Sequence, residues 1–166
     1  MRGSSYSRKM LELSKALQAR VKVSVSQLGA ALTEFKNVCY ANSLGPESMV
    51  LTDLIWGSGQ AAPSATQAGA LSDIEIFSID TGRLYPETYD LIERVQQRYG
   101  RAMAAPVAWD GEYGLHKVSP LLDWTEKEIW EYIRRKRLPY NTLHDKGFPS
   151  IGCAPCTRAL STRALR

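Results

Sequence analysis

Val38-Cys39-Tyr40-Ala41-Asn42-Ser43-Leu44-Gly45-Pro46-Glu47-Ser48-Met49-Val50-Leu51 changes character twice within a few residues. Its first five positions form a short apolar-rich run that suits a buried strand. Ser43-Leu44-Gly45 then ends the run in a tight turn. Pro46 and Glu47 suit the first turn of a helix, where the missing proline N–H is not needed and a carboxylate meets the positive end of the helix dipole. The helix is predicted to continue through Met49, Val50, Leu51, Leu54, Ile55 and Trp56. The same order recurs downstream. Ile74 to Ile79 reads as a second strand, Asp80-Thr81-Gly82-Arg83 as its terminating turn, and Tyr85-Pro86-Glu87 as the start of a second helix, with Tyr89, Ile92, Val95 and Tyr99 expected on its inner face. Strand, helix, strand, helix predicts an α/β fold with a parallel sheet.

The flanks are simpler. Met10, Leu13, Leu17 and Val21 fall at helical spacing and predict a packing helix over 8–20, and Leu28, Ala31, Leu32 and Phe35 predict a second over 26–35. Residues 57–72 are rich in Gly, Ala, Ser and Gln without a period and are expected to form a flexible surface loop, unusually long for an α/β connection. Val107 to Trp109 reads as a short strand and Leu115 to Leu121 as extended chain. Thr125 and Glu128 make a capping box for a helix over 126–137, packed through Ile129, Trp130 and Ile133. Leu138 to Arg158 is expected to be a loop, the kind of segment that carries chemistry.

The chain has 166 residues, a length that favours one domain over 1–166. Apolar residues make up 44% and charged residues 23%, ordinary for a globular protein. No apolar run approaches the roughly 20 residues of a membrane helix, and Met1 to Lys22 lacks the apolar core of a secretory signal. The cytoplasm is therefore the expected location, without membrane association. The formal net charge of +4 suits an anionic small molecule or a solvated surface and is too small and too spread to indicate nucleic acid. Basic residues gather late in the chain, from Arg134 to Arg166, as a solvated helix face or an anion site. Three cysteines without a secretory signal argue against a disulfide framework.

Three segments carry candidate chemistry. In the first, Ser43, Gly45, Glu47 and Ser48 lie where a strand turns into a helix, so backbone N–H groups and the helix dipole converge on one point and can cradle a phosphate or sulfate. This is neither the dinucleotide fingerprint nor the P-loop pattern. In the second, Asp80, Thr81, Gly82 and Arg83 lie at the carboxyl end of the next strand, where open α/β sheets bind ligands. Asp80 and Thr81 can hydrogen-bond a ribose or base edge, and Arg83 can meet an anion. In the third, Cys153-Ala154-Pro155-Cys156 places two thiols for one metal, an iron–sulfur cluster or a redox disulfide. A metal or cluster needs about four ligands, with His144 a candidate for the third. Cys39, on the predicted buried strand, is expected to be inert core.

Taken together these segments resemble the sulfonucleotide reductases, the phosphoadenylyl-sulfate and adenylyl-sulfate reductase family. The resemblance runs through Tyr40 to Leu51, through Phe77-Ser78-Ile79-Asp80-Thr81-Gly82-Arg83-Leu84-Tyr85-Pro86-Glu87-Thr88, and most closely through Pro120 to Arg158, with Trp124-Thr125-Glu126, Pro139-Tyr140-Asn141, Leu143-His144-Asp145-Lys146-Gly147 and the cysteine pair. Family members usually carry Ala and Asp where this chain has Pro46 and Ser48. About two thirds of the chain is covered.

The resemblance implies an incomplete parallel sheet of the adenine nucleotide alpha-hydrolase-like, or PP-loop, type. It implies reduction of adenylyl sulfate, or of phosphoadenylyl sulfate, to sulfite and AMP in sulfate assimilation, with thioredoxin, a glutaredoxin-type protein or glutathione as electron donor. The pair Cys153 and Cys156 resembles half of the [4Fe–4S] ligand set of the adenylyl-sulfate type, whose other half is an adjacent Cys-Cys pair upstream. The family carries that pair, with basic substrate-binding residues, in a long segment where this chain has only residues 101–106, the expected site of a missing segment. The family's C-terminal tail with its nucleophilic cysteine also has no counterpart before Arg166, so no catalytic residue is assigned and impaired activity is expected. Two copies of the chain could bring four thiolates together, which makes a homo-oligomer an option. The alternatives are a non-catalytic adenine-nucleotide-binding remnant and, because Ser43-x-Gly45-x-x-Ser48 resembles a pyrophosphate loop, a PP-loop ATP pyrophosphatase.

Overall fold

The computed structural model of the protein describes residues 13–57, 65–80, 82–103 and 120–159. In chain order these form helix α1 (Lys15–Glu34), strand β1 (Cys39–Ala41), helices α2 (Pro46–Trp56) and α3 (Ala65–Ser72), strand β2 (Glu75–Phe77), and helices α4 (Pro86–Tyr99) and α5 (Glu126–Lys136). Two 3₁₀ turns follow, Thr142–Lys146 and Ala154–Cys156. β1 and β2 pair in parallel, with Cys39 opposite Glu75, Tyr40 opposite Ile76 and Ala41 opposite Phe77. The predicted α/β class with a parallel sheet is thus the observed one.

Local chemistry explains the helix ends. Both α2 and α4 begin on proline, Pro46 and Pro86, each followed by a glutamate in the first turn. α5 carries the predicted capping box, with Thr125 accepting from the Glu128 N–H and the Glu128 carboxylate accepting from the Thr125 N–H. Its last turn holds Arg134, Arg135 and Lys136, which face the negative end of the helix dipole. The Arg98 guanidinium donates to the carbonyls of Lys136 and Arg137, capping that end from α4.

Four expectations are corrected. The two N-terminal helices are one, α1, because Leu17, Val21, Val25, Leu28 and Ala31 keep a single buried stripe through the supposed break. Burial of that stripe outweighs the weak helix propensity of Val and Ser. The expected loop over 57–72 contains α3, whose Leu71 is fully buried. Cys39 is exposed, not core, because β1 turns Cys39 and Ala41 outward and only Tyr40 inward. Tyr89 faces solvent, with the inner stripe of α4 running one position earlier through Thr88, Leu91 and Val95. The expected strand at Val107–Trp109 lies outside the described residues.

α2 is the centre of the packing. Its Val50, Leu54 and Ile55 join α1, Leu71, Ile76 and the α5 residues Ile129 and Ile133 in the main core. Met49 joins a smaller cluster with Leu44, Leu91 and Val95 of α4. Burial on both sides traps the Asp53 carboxyl, which accepts from the Tyr99 hydroxyl at 2.7 Å and the Tyr132 hydroxyl at 2.9 Å. Burial, and the carboxyl beside them, raise both phenols above their ordinary range. One carboxyl therefore ties α2 to α4 and α5. Replacing Tyr132 with Phe leaves Asp53 Oδ2 without that donor, and we expect a loss of about 1–3 kcal/mol in urea unfolding with an unchanged slope.

Candidate functional site

Beyond the carboxyl ends of β1 and β2 opens a cleft of about 360 Å³. This is where parallel α/β sheets place ligands, and the volume is in the range of small-molecule sites. Ala41 to Leu44 form the wall that follows β1, and Phe77, Ser78 and Ile79 the wall that follows β2. Leu84 and Thr88 at the start of α4, Asn141, and Ile151 to Cys153 close it.

The wall after β1 is built by one side chain. Asn42 is 3% exposed. Its Nδ2 donates to Thr52 Oγ1 on α2 at 2.8 Å, and its Oδ1 accepts from the Leu44 N–H at 2.7 Å. Its own backbone N–H extends the sheet to the Phe77 carbonyl at 2.7 Å. This clamp holds Leu44 at a φ of 62°, a left-handed conformation that a bulky residue adopts only when its surroundings impose it. The chain thereby reverses sharply into α2. Ser43 Oγ and Ser48 Oγ lie 2.8 Å apart and hydrogen-bond each other across the turn, and the Ser43 N–H donates to Ser48 Oγ at 3.3 Å. Gly45 caps α2 without any side-chain hydrogen bond, so the first-turn N–H groups stay available to a ligand. Tyr40 lies against this turn, and burial pushes its phenol up to about 12.

The wall after β2 leads into the Asp80 turn. Asp80 Oδ1 accepts from the Gly82 N–H at 2.7 Å and from the Tyr89 hydroxyl at 2.9 Å. Gly82 sits at a φ of 70°, which suits a residue without Cβ. The Asp80 hydrogen bond raises the exposed Tyr89 phenol.

The cysteine segment is pinned to the cleft. Leu84 and Cys153 form an antiparallel bridge, and the Ala154 N–H donates to the Arg83 carbonyl at 2.9 Å. The Tyr85 hydroxyl hydrogen-bonds the carbonyls of Ala154 and Thr157. Thr157 Oγ1 accepts from the Gly152 N–H at 3.0 Å and donates to the Cys153 carbonyl at 3.1 Å. A Cβ on Gly152 would come within 3.2 Å of Thr157 Oγ1, so this turn is tight. Cys153 is half-buried on the cleft wall and Cys156 is exposed.

The structure therefore sorts the sequence candidates. Ser43 and Cys153 line the cleft. Gly45 and Ser48 shape its turn from behind, and Glu47 and Ser48 line a separate groove with Tyr40 and Leu121. Asp80, Gly82 and Arg83 form the adjoining rim, with the Arg83 side chain exposed. Thr81 lies outside the described residues. His144 does not join the cysteines: its Nδ1–H donates to the Phe148 carbonyl at 2.8 Å and its ring packs edge-on against Trp130. Among the described residues no group of three or more His, Cys, Asp or Glu side chains gathers to hold a metal. Asn42, Thr88 and Asn141 were missed as site residues. Asn141 and Thr88 are both buried and joined through Asn141 Nδ2 and Thr88 Oγ1 at 3.0 Å. The signal for them was a polar residue at a strand end, at a helix start and in a loop, each too common to single out.

The phosphoadenosine phosphosulfate reductase domain profile matches residues 37–111 and 100–159. The chain belongs to this family. Its relatives include the adenosine 5'-phosphosulfate reductase of Allochromatium vinosum, 32% identical, with 87% of this chain matched to 77% of that one. The alignment with it runs over 210 positions, more than this chain supplies, so that reductase carries residues here without counterpart. The adenosine 5'-phosphosulfate reductase of Staphylococcus epidermidis is also 32% identical, over 73% of this chain and 70% of its own. The crystal structure of the phosphoadenylyl-sulfate reductase of Candida auris, a phosphate complex, superposes with a TM-score of 0.63 over 89% of this chain and 98% of its own. At 18% identity that likeness concerns the fold, which is thereby that of the phosphosulfate reductases. No helix among the described residues is long and apolar enough to cross a membrane.

The Asn42 clamp makes a direct claim about this family member. Asn42→Ala removes the partners of the Leu44 N–H and of Thr52 Oγ1 inside the core. We expect a loss of about 1–3 kcal/mol and faster amide exchange at Leu44 than at Ile76 on the neighbouring strand.

Proposed function

We propose that this chain binds adenylyl sulfate in the cleft beyond β1 and β2 and belongs to the thiol-dependent reduction of that compound to sulfite and AMP. The observation that carries the reading is the turn from Asn42 to Ser48. It offers uncapped helix N–H groups and the Ser43 hydroxyl to an anion at the mouth of a nucleotide-sized cleft. Ser43 would receive the phosphosulfate end, on a turn whose shape Gly45 and Ser48 set from behind. Asp80, Thr81, Gly82 and Arg83 would meet the ribose, the base edge or a second anionic group. Glu47, which lines the neighbouring groove, would act through the shape of the first helical turn. Phosphoadenylyl sulfate is the competing substrate. The names of the relatives support the adenylyl compound, since those from Allochromatium vinosum and Staphylococcus epidermidis are adenosine 5'-phosphosulfate reductases. A thioredoxin-type protein or glutathione would return the electrons, in the cytoplasm.

The [4Fe–4S] cluster implied by the cysteine pair does not fit these residues alone. Cys153 and Cys156 offer two of the roughly four thiolates required. The remaining cysteine, Cys39, lies at the opposite end of β1 from the cleft. No step is therefore drawn through a cluster. We further propose that the segment absent relative to the larger reductases joins this chain at 101–106. The family match supports this, since it falls into two stretches that meet at 100–111.

Calorimetry with AMP and with adenylyl sulfate tests the reading. Both should bind, and Ser43→Ala should weaken adenylyl sulfate by about tenfold, the effect of losing one hydrogen bond to a charged group. Failure of the wild-type protein to bind either nucleotide would refute the reading.

A further inference from the structure

Resting on that reading, we infer that Thr88 and Asn141 determine which base the cleft accepts, by donating a hydrogen bond to a ring nitrogen of the bound nucleotide. Both side chains line the cleft, and both are polar groups withdrawn from water, Thr88 4% exposed and Asn141 1% exposed. The backbone fixes how they face each other. The Leu143 N–H, which can only donate, reaches Asn141 Oδ1 at 3.0 Å, so the amide oxygen is turned to that loop. The amide nitrogen is therefore turned to Thr88, and its contact with Oγ1 at 3.0 Å makes the hydroxyl oxygen the acceptor.

This arrangement leaves donors over. Among the described residues the Thr88 hydroxyl hydrogen meets no acceptor, and the second hydrogen of Asn141 Nδ2 meets none either. Buried donors without partners are unfavourable, so the pair points to an acceptor that arrives with the ligand. Neither donor carries charge. The anionic end of a nucleotide has its own match in Ser43 and the uncapped start of α2. What remains for Thr88 and Asn141 is a neutral acceptor, and the ring nitrogens of adenine are neutral acceptors.

The lining favours the base over the ribose. Leu44, Phe77, Ile79, Leu84 and Ile151 give the cleft apolar walls, which suit a flat ring and would strand the hydroxyls of a sugar. Ile79 is 66% exposed, so a ring seated in the cleft also covers apolar surface that otherwise meets water. The ribose is then left to the polar Asp80 rim. Spare donors inside an apolar cleft act as a specificity device. A base that presents a carbon where the donors need nitrogen leaves them unpaired and binds less well.

The test is calorimetry on the full chain with AMP and with its 1-deaza, 3-deaza and 7-deaza analogues, in each of which one ring nitrogen becomes C–H. At least one analogue should bind the wild type about tenfold more weakly than AMP does. Thr88→Val, which keeps the shape and loses the hydroxyl, should bind AMP about tenfold more weakly than the wild type and should no longer discriminate against that analogue. Thr88→Ser should retain both affinity and discrimination. A melting curve accompanies each variant, because valine also deprives the Asn141 amide of its acceptor. Equal affinity of the wild type for AMP and all three analogues overturns the inference without recourse to any variant, and leaves the binding reading intact. So does a Thr88→Val protein that melts as the wild type does and still discriminates. Failure of the wild type to bind any nucleotide overturns both.

Discussion

α2 is buried along almost its whole length, and its polar residues must find partners inside the protein. Much of the rest follows from how they do. Thr52 is satisfied by Asn42 and by the Ser48 carbonyl. Ser48 is satisfied by Ser43. Asp53 is satisfied by Tyr99 and Tyr132. The first two sets fix the turn that enters the helix, and the third fixes the helices that pack on it. A buried polar group left unpaired costs about 1–3 kcal/mol, a large part of a domain's net stability. The helix therefore tolerates these residues only in one arrangement of its neighbours.

That constraint shapes the cleft. Because Asn42 spends both ends of its amide on α2 and on Leu44, the backbone after β1 reverses sharply and the start of α2 is left without a side-chain cap. The opposite wall is assembled independently. The cysteine turn hangs on the loop leading into α4 through Tyr85, Arg83 and Leu84. The cleft is thus formed between a rigid turn anchored by buried hydrogen bonds and a turn anchored at the surface. Ser43 and Cys153 both line it, and Cys156 is exposed.

The helix starts were the most legible features. Pro46, Pro86 and the Thr125–Glu128 box announce helices by chemistry confined to four residues, and all three helices begin there. Errors arose where burial depended on distant partners. Tyr89 and Leu91 sit in the same stretch of α4, and only the position of Leu44 and Met49 decides which of them faces inward. Cys39 looked like core because its neighbours are apolar, but exposure of a strand residue depends on which face the sheet covers. The helix at Ala65–Ser72 was hidden by small residues that carry little periodic signal.

Taken by itself, the sequence determined the α/β order, the turn between Asn42 and Pro46, the Asp80 turn and the cysteine pair, since each rests on residues close together in the chain. Tertiary structure alone decided that Ser43 and Cys153 share one cleft, that His144 turns to Phe148 and away from the thiols, and that Asn141 closes on Thr88. The physical reason is separation along the chain. Ser43 and Cys153, like Thr88 and Asn141, lie far apart in the chain and become neighbours only through tertiary packing, and no local pattern encodes which side chain that packing turns toward the cleft.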